Sequence, residues 1–168
     1  SYLTGIPKAC KERRENEEDL SAAEGTQYRG MVVRANYLAQ DRSDIRFAVK
    51  EIARHMAKPR EADREKLVML AKYLKNKERY VQLFEYQAST KENSNKFINV
   101  WTDTDHAGCL ETRKSTSGGV IMLNNHNIKT WSTTQDTIAL SSGEAEYYGM
   151  VRGGAQGLGV QSLLRDIG

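Results

Sequence analysis

Cysteine is scarce in this sequence, with Cys10 and Cys109 the only two among 168 residues. Two cysteines so far apart do not make the disulfide framework of a small secreted domain, so we expect a reducing compartment. The chain also has no apolar run of membrane-spanning length, and no basic segment followed by an apolar core at its start. We therefore expect no membrane span, no signal peptide and an intracellular location, in the cytoplasm or nucleus. The first residue is Ser1 rather than Met, which favours a fragment or a processed product.

Several common ligand-binding patterns are missing as well. The glycines of "GGAQGLG", which begins at Gly153, have the wrong spacing for a dinucleotide loop and follow no strand. A calcium loop beginning at Asp103 would need Glu at its twelfth position, where Lys114 stands. The three histidines do not have zinc-ligand spacing. The net charge of +3 is compatible with nucleic-acid binding but does not require it.

Periodicity divides the chain into three regions. Residues 1–25 form a polar arm, either mobile or a solvated helix. Residues 26–79 carry apolar stripes at helical spacing, which predict three amphipathic helices that pack together or on a partner. Residues 80–168 show period-two runs followed by a helical pattern. The helical stripes comprise Met31, Ala35 and Leu38; Ile45, Val49, Ile52 and Met56; and Leu67, Leu70, Ala71 and Leu74.

The third region predicts an α/β fold. "RYVQLFEYQ", from residue 79, indicates a strand or the start of a hairpin, and residues 97–135 predict three antiparallel strands joined by polar turns. A helix over residues 136–166, capped by Ser141 or Ser142, should pack on one face of this sheet. Glycines are poor helix formers, so those in this helix predict either a bend or very close packing on a neighbour.

Pairs of carboxylates stand out in two places. Asp103 ends the predicted strand "FINVWTD", and Asp105 follows two positions later. Like charges on one face of a strand repel, so this pair of carboxylates needs an explanation. Asp103 is therefore either a catalytic group at a strand end or a cap for the following turn. Glu144 and Glu146 point in nearly opposite directions on a helix, so at most one of them faces the sheet. The alternative is that both are solvated glutamates in a first helical turn.

The segment "TRKSTSGG" combines cations with hydroxyl groups. Arg113 and Lys114 stand beside Ser115, Thr116 and Ser117, which together are suited to contact phosphate. The alternative is a solvated hairpin turn.

Taken together, these motifs resemble one family. "WTDTDHAGCLETRKSTSGGVIML", then "IKTWSTTQDTIALSSGEAEYYG", resembles the RNase H domain of copia-type retrotransposon polyproteins, in order and in spacing. "YRGMVVRANYLAQDRSDIRFAVKEIARHMAKPREADREKLVMLAKYLKN" resembles the helical stretch that links reverse transcriptase to RNase H in these polyproteins. The resemblance covers roughly residues 26–168.

The resemblance implies a chemistry for the acidic residues. By motif, Asp103 and Glu146 are the catalytic, metal-binding carboxylates of an RNase H-like fold, with Asp105 as a further candidate ligand. The implied cofactor is Mg²⁺ or Mn²⁺, and the implied reaction is hydrolysis of the RNA strand of an RNA–DNA hybrid with two metal ions. Arg113, Lys114, Ser115, Thr116 and Ser117 are then candidate contacts to the nucleic acid.

The resemblance also implies that the chain is partial. The remaining family carboxylates lie on later elements, after the position of Gly168, so we expect a partial RNase H-like domain that is inactive in isolation. One alternative is a non-catalytic, retroelement-derived remnant that acts as a structural or binding subunit. Another is a nucleic-acid-binding module. An open sheet edge and an uncovered apolar face would be expected to recruit protein partners.

Overall fold

The computed structural model of the chain describes residues 18–86, 97–109 and 111–167. The chain divides into two compact units, Ser1–Val81 and Gln82–Gly168. The first unit is helical and the second combines strands with one long helix. The helices and strands are α1 (Ala22–Leu38), a short 3-10 turn (Ser43–Ile45), α2 (Arg46–Ala53), α3 (Glu61–Asn76), β1 (Ile98–Asp105), β2 (Thr116–Leu123), β3 (His126–Thr134) and α4 (Ser142–Ile167).

Helix α1 begins earlier than the sequence predicts. Ser21 and Glu24 form a capping box, in which the Glu24 amide donates to Ser21 Oγ and the Ser21 amide donates to Glu24 Oε2 at 3.1 Å. These reciprocal bonds satisfy amides that have no partner within the helix. The predicted polar arm therefore ends before residue 22, and its first seventeen residues lie outside the described part of the chain.

The helical unit has one apolar core, but α1 faces it with a different stripe from the predicted one. Met31 and Leu38 are 46% and 40% exposed, and only Ala35 of the predicted stripe is buried. Tyr28 and Val32 are buried instead, because the Tyr28 hydroxyl reaches across to α2 and donates to the Ile52 carbonyl at 2.6 Å. The core comprises Tyr28, Val32, Ala35, Ala39, Ile45, Val49, Ile52, Leu67 and Leu70.

On the charged side of α3, Asp63 and Lys66 are both buried and form an ion pair at 3.2 Å. One further expectation for this part of the sequence is wrong. Residues 80–86 form no strand, and Leu83 and Tyr86 are largely exposed. Alternation of apolar and polar residues alone does not make a strand when no neighbour pairs with it. The rest of "RYVQLFEYQ" lies outside the described residues.

The second unit contains the predicted antiparallel sheet. Its strand order is β1-β2-β3, with Asp103 opposite Gly118 and Gly119 opposite Trp131. A tight turn at Asn124, whose φ is 52°, joins β2 to β3. The prediction of three antiparallel strands followed by a helix packed on one face is confirmed.

Helix α4 lies unusually close to the sheet. Its buried stripe is Ala145, Gly149, Gly153 and Gly157, spaced by four residues. A Cβ atom added at Gly153 would collide with Thr102, and one at Gly157 would lie 2.8 Å from Val100. The close-packing alternative for these glycines is therefore confirmed, since no side chain fits between helix and strand. Gly154 and Gly159 face open space.

Candidate active site

Asp103 lies on the face of the sheet opposite α4. Val100, Thr102 and Thr104 point towards the glycines of α4, so strand alternation turns Asp103 to the other side, where it is exposed. Within the described residues its carboxylate has no hydrogen bond or ion pair. Asp103 is thus part of a regular strand pair and does not cap the following turn.

Asp105 is the last residue of β1, and its side chain lies against the turn that follows. Its carboxylate lies so close to Gly108 that a side chain at position 108 would collide with it. The turn continues through Ala107, which has a positive φ of 50° and whose amide donates to Ser115 Oγ at 3.0 Å. The close fit at Gly108 associates the Asp105 carboxylate with the turn rather than with a cluster of other acidic side chains.

The two glutamates of α4 have different surroundings. Glu144 belongs to the helix N-terminus: its amide donates to Ser141 Oγ at 3.1 Å, and its carboxylate accepts bonds from the Leu140 amide at 2.8 Å and the Tyr148 hydroxyl at 3.0 Å. Glu146 is half-buried, and no hydrogen bond or ion pair satisfies its carboxylate in the part of the chain that the structure describes. Of the two, Glu146 is therefore the one that is free to bind a cation.

The basic turn is only partly available to a nucleic acid. Arg113 is exposed and Lys114 is half-buried, but Ser115, Thr116 and Ser117 are all buried. The hydroxyls of Ser115 and Ser117 accept hydrogen bonds from Ala107 and Gln135 inside the protein. This burial leaves the three hydroxyl residues little exposed surface, and their role as phosphate contacts stays a prediction.

Sequence analysis missed Gln135. This residue follows β3 and is buried, and its side chain bonds both to Ser117 and to the Ala145 carbonyl at the start of α4. A single glutamine after a strand carries no periodic or motif signal, so nothing in the local sequence distinguishes it from a loop residue.

The described residues include ligand types that suit a hard divalent cation, but too few of them to complete a site. Carboxylate oxygens are the ligands that Mg²⁺ prefers, and among the described residues the carboxylates of Asp103 and Glu146 have no partner. However, no group of three or more His, Cys, Asp or Glu side chains is arranged to hold a metal ion within residues 18–86, 97–109 and 111–167. A Mg²⁺ site would need further ligands besides these residues.

Comparison with known proteins shows similarity to Pol polyproteins of transposons. The Retrovirus-related Pol polyprotein from transposon RE1 of Arabidopsis thaliana is 29% identical over 143 residues, which is 85% of this chain and 9% of that polyprotein. Most of the chain is similar to retrovirus-related Pol polyproteins of copia-type transposons. It spans less than a tenth of the length of the RE1 polyprotein.

Two shorter members of this similarity group cover much of the same chain. An uncharacterized mitochondrial protein of Arabidopsis thaliana is 34% identical over 71% of this chain, which matches 48% of that protein. Secreted RxLR effector protein 161 of Plasmopara viticola is 32% identical over 63% of this chain and 70% of its own length. No protein-family model matches the chain. No solved structure matches it significantly. Along its described residues, no helix has the length and apolarity needed to span a membrane.

Proposed function

We propose that this region of a copia-type Pol polyprotein is the first part of an RNase H domain. In this function it contributes to hydrolysis of the RNA strand of RNA–DNA hybrids. The observation that carries the proposal is the order of elements around the acidic residues. A three-stranded antiparallel sheet is followed by a helix on one face, with Asp103 on β1 and Glu146 near the start of α4. This is the arrangement that the family resemblance implies.

The unpaired state of the two carboxylates supports the proposal. A half-buried carboxylate without a partner costs folding free energy, so Glu146 is more easily explained if a cation binds it. Asp103, at the end of β1 but on the face of the sheet opposite α4, is the second candidate carboxylate. When bound, Mg²⁺ or Mn²⁺ would activate water and stabilise the leaving oxygen. The protein's own contribution is to hold the two carboxylates on a sheet and a helix that pack closely.

A second candidate function is non-catalytic binding. It is favoured by the absence, among the described residues, of any group of three or more His, Cys, Asp or Glu side chains that could hold a metal ion. In that case Asp103 and Glu146 would retain the family pattern without completing a metal site. The exposed Arg113 would then serve a nucleic-acid-binding or structural subunit.

A cleavage assay on a labelled RNA–DNA hybrid separates these two functions. The assay compares, with Mg²⁺ and with Mn²⁺, the 168-residue chain and a version extended past Gly168 by polyprotein sequence. Each is tested as wild type, as Asp103→Asn and as Asp166→Asn, a matched control at the exposed far end of α4. We expect no cleavage by the shorter chain, and cleavage by the extended chain that Asp103→Asn abolishes and Asp166→Asn preserves. A folded but inactive extended wild type would favour the binding function.

A further inference from the structure

The side of α4 that faces away from the sheet carries large apolar side chains. The buried stripe of this helix packs against the sheet, so residues half a turn around the helix face solvent. Three of them are largely exposed: Tyr147 at 60%, Val151 at 54% and Leu158 at 66%. They recur at intervals of four and seven residues, which places them on one line along the helix. We call this line the outer stripe of α4.

The middle of the outer stripe has almost no side chain. Gly154 and Ala155 lie between Val151 and Leu158, and both are exposed. A Cβ atom added at Gly154 would meet no other atom within 4 Å. A second helix could therefore approach α4 closely at this point, with a larger apolar side chain on either side of the crossing. We call the position between Gly154 and Ala155 the midpoint of the stripe.

The ends of the outer stripe carry opposite charges. Glu144 at the N-terminal end and Arg165 at the C-terminal end both lie within about 40° of Leu158 around the helix axis. Arg165 is exposed and has no ion pair among the described residues. The Glu144 carboxylate accepts hydrogen bonds from neutral groups, the Leu140 amide and the Tyr148 hydroxyl. Each end of the stripe can therefore attract an opposite charge on another molecule.

These features are symmetric about the midpoint. Val151 and Leu158 are equally far from it in sequence, and so are Glu144 and Arg165. Two α4 helices that cross antiparallel at the midpoint would place Val151 against Leu158 of the second copy. They would also place Glu144 near Arg165 of the second copy, and their macrodipoles would oppose each other favourably. A parallel pairing would instead bring like charges together at both ends.

We propose that the outer stripe of α4 is a dimer interface, in which two copies of the chain pair their α4 helices antiparallel around the midpoint. The occupant is a second copy because the stripe is complementary to itself in both charge and apolar character. Such an isologous contact closes on itself, so it yields a dimer and not a filament. One helix pair is smaller than a standard interface, so association should be weak and reversible. The dimer uses neither Asp103 nor Glu146 and does not depend on the proposed function.

Sedimentation equilibrium of the 168-residue chain over a range of concentrations tests the interface. The average mass should rise with concentration towards twice that of one chain. Leu158→Glu places a charge within the stripe and should keep the chain monomeric. The matched control is Leu163→Glu, at a residue that is 56% exposed and lies about 140° around the helix from Leu158. This control should dimerise as the wild type does.

A second pair of variants tests the charges in the same experiment. Because the dimer holds two Glu144–Arg165 pairs, Arg165→Glu turns two attractions into two repulsions and should weaken association by about tenfold. Arg152→Glu makes the same change of charge at an exposed residue to one side of the stripe. This control should leave association unchanged, and equal weakening by both variants would contradict the charge pairing.

Oxidative cross-linking tests the antiparallel arrangement, in a background that carries Cys10→Ser. Ala155→Cys lies beside the midpoint and should form a disulfide with the same residue of the second copy. Ser162→Cys lies on the stripe, but antiparallel pairing separates its two copies by about 22 Å, too far for a disulfide. In a parallel dimer both variants would cross-link. Cys109 is 2% exposed and should contribute little background.

Three outcomes would overturn parts of this proposal. A wild type that stays monomeric at every concentration would exclude the dimer. A dimer that Leu158→Glu leaves intact would show that another surface forms it. Equal cross-linking of Ser162→Cys and Ala155→Cys would contradict the antiparallel arrangement. If circular dichroism shows that Leu158→Glu does not fold, Arg165→Glu takes its place, and unchanged association would then overturn the interface.

Discussion

Gly149 of α4 lies so close to Thr104 of β1 that a Cβ atom on Gly149 would be 2.5 Å from Thr104 Oγ1. The contact sets the distance between helix and sheet at the end that carries both candidate carboxylates. Glycine is a poor helix former, so Gly149 weakens the local preference for helix. Its lack of a side chain allows α4 to approach β1 closely. The stability of the second unit should depend on this contact in a way that local propensity does not predict.

Substituting this glycine should therefore destabilise the protein. We expect Gly149→Ala to lower the free energy of unfolding by about 1–3 kcal/mol, because the added methyl group overpacks the interface. The control Gly154→Ala, where the Cβ meets open space, should raise it by about 0.5–1 kcal/mol through helix propensity. Urea denaturation measures both. Adding Thr104→Ala to Gly149→Ala should recover most of the loss, and equal effects of the two glycine variants would contradict the close contact.

The buried hydroxyl of Tyr28 should stabilise the helical unit. Tyr28 is 1% exposed, and it donates to the Ile52 carbonyl, one of the last four of α2. Such carbonyls have no partner within their own helix, so Tyr28→Phe leaves a buried acceptor unsatisfied. We expect a loss of about 1–3 kcal/mol in the free energy of unfolding. Tyr37→Phe, at a residue that is 75% exposed, should change it by less than about 0.5 kcal/mol. Equal losses would argue against a role for the hydroxyl.

Asp44 should make stability fall at acidic pH. The Arg42 guanidinium forms two hydrogen bonds with its carboxylate, at 2.9 and 2.7 Å, and these lower the pKa of Asp44. Partial burial opposes the shift, and the Tyr73 hydroxyl adds a further hydrogen bond that favours the charged form. Because the folded pKa lies below the unfolded one, the contribution is complete above the ordinary carboxyl pKa, about 4. It is lost as pH falls from there through the folded pKa.

Hydrogen exchange measured as a function of pH tests this contribution. Asp44→Asn should reduce amide protection in the core of the helical unit near neutral pH, and the difference from the wild type should shrink as the pH falls below the ordinary carboxyl pKa. The control is Asp41→Asn, at an exposed residue with no ion-pair partner in the described ranges. A difference that stays constant down to the lowest pH would contradict the proposed linkage.

Arg113 should contribute to binding of an RNA–DNA hybrid if the proposed function is correct. Its side chain is exposed, whereas the hydroxyl residues after it are buried. We expect Arg113→Ala to weaken hybrid binding in fluorescence anisotropy and to reduce the slope of log affinity against log salt by about 1. Arg165→Ala, at the exposed last turn of α4, should leave the slope unchanged. Identical slopes for the wild type and Arg113→Ala would remove Arg113 from the interface.

Much of the second unit was predictable because its signals are local. Period-two runs, the Asn-rich turn and the serine cap at Ser141 predict strands, a hairpin and a helix start without reference to the rest of the chain. The motif also identified Asp103 and Glu146, whose carboxylates are unpaired among the described residues. Whether they share a cation stays a prediction.

The predictions that failed concern residues whose burial depends on contacts with other helices. Met31 and Tyr28 lie on adjacent helical stripes, and only the hydrogen bond to Ile52 decides which stripe is buried. Asp63 and Lys66 look like solvated charges until α3 is packed, when each becomes the partner that makes burial of the other possible.

The sequence by itself carried the resemblance to copia-type Pol polyproteins, the identity of the candidate carboxylates and the order of the strands and last helix, because spacing and side-chain type carry that information. The tertiary structure decided which residues are accessible. It turned Asp103 away from α4, associated Asp105 with a turn, buried Ser115 and Ser117, and made Gln135 a link between sheet and helix. These outcomes depend on contacts between residues far apart in the chain, which no local pattern records.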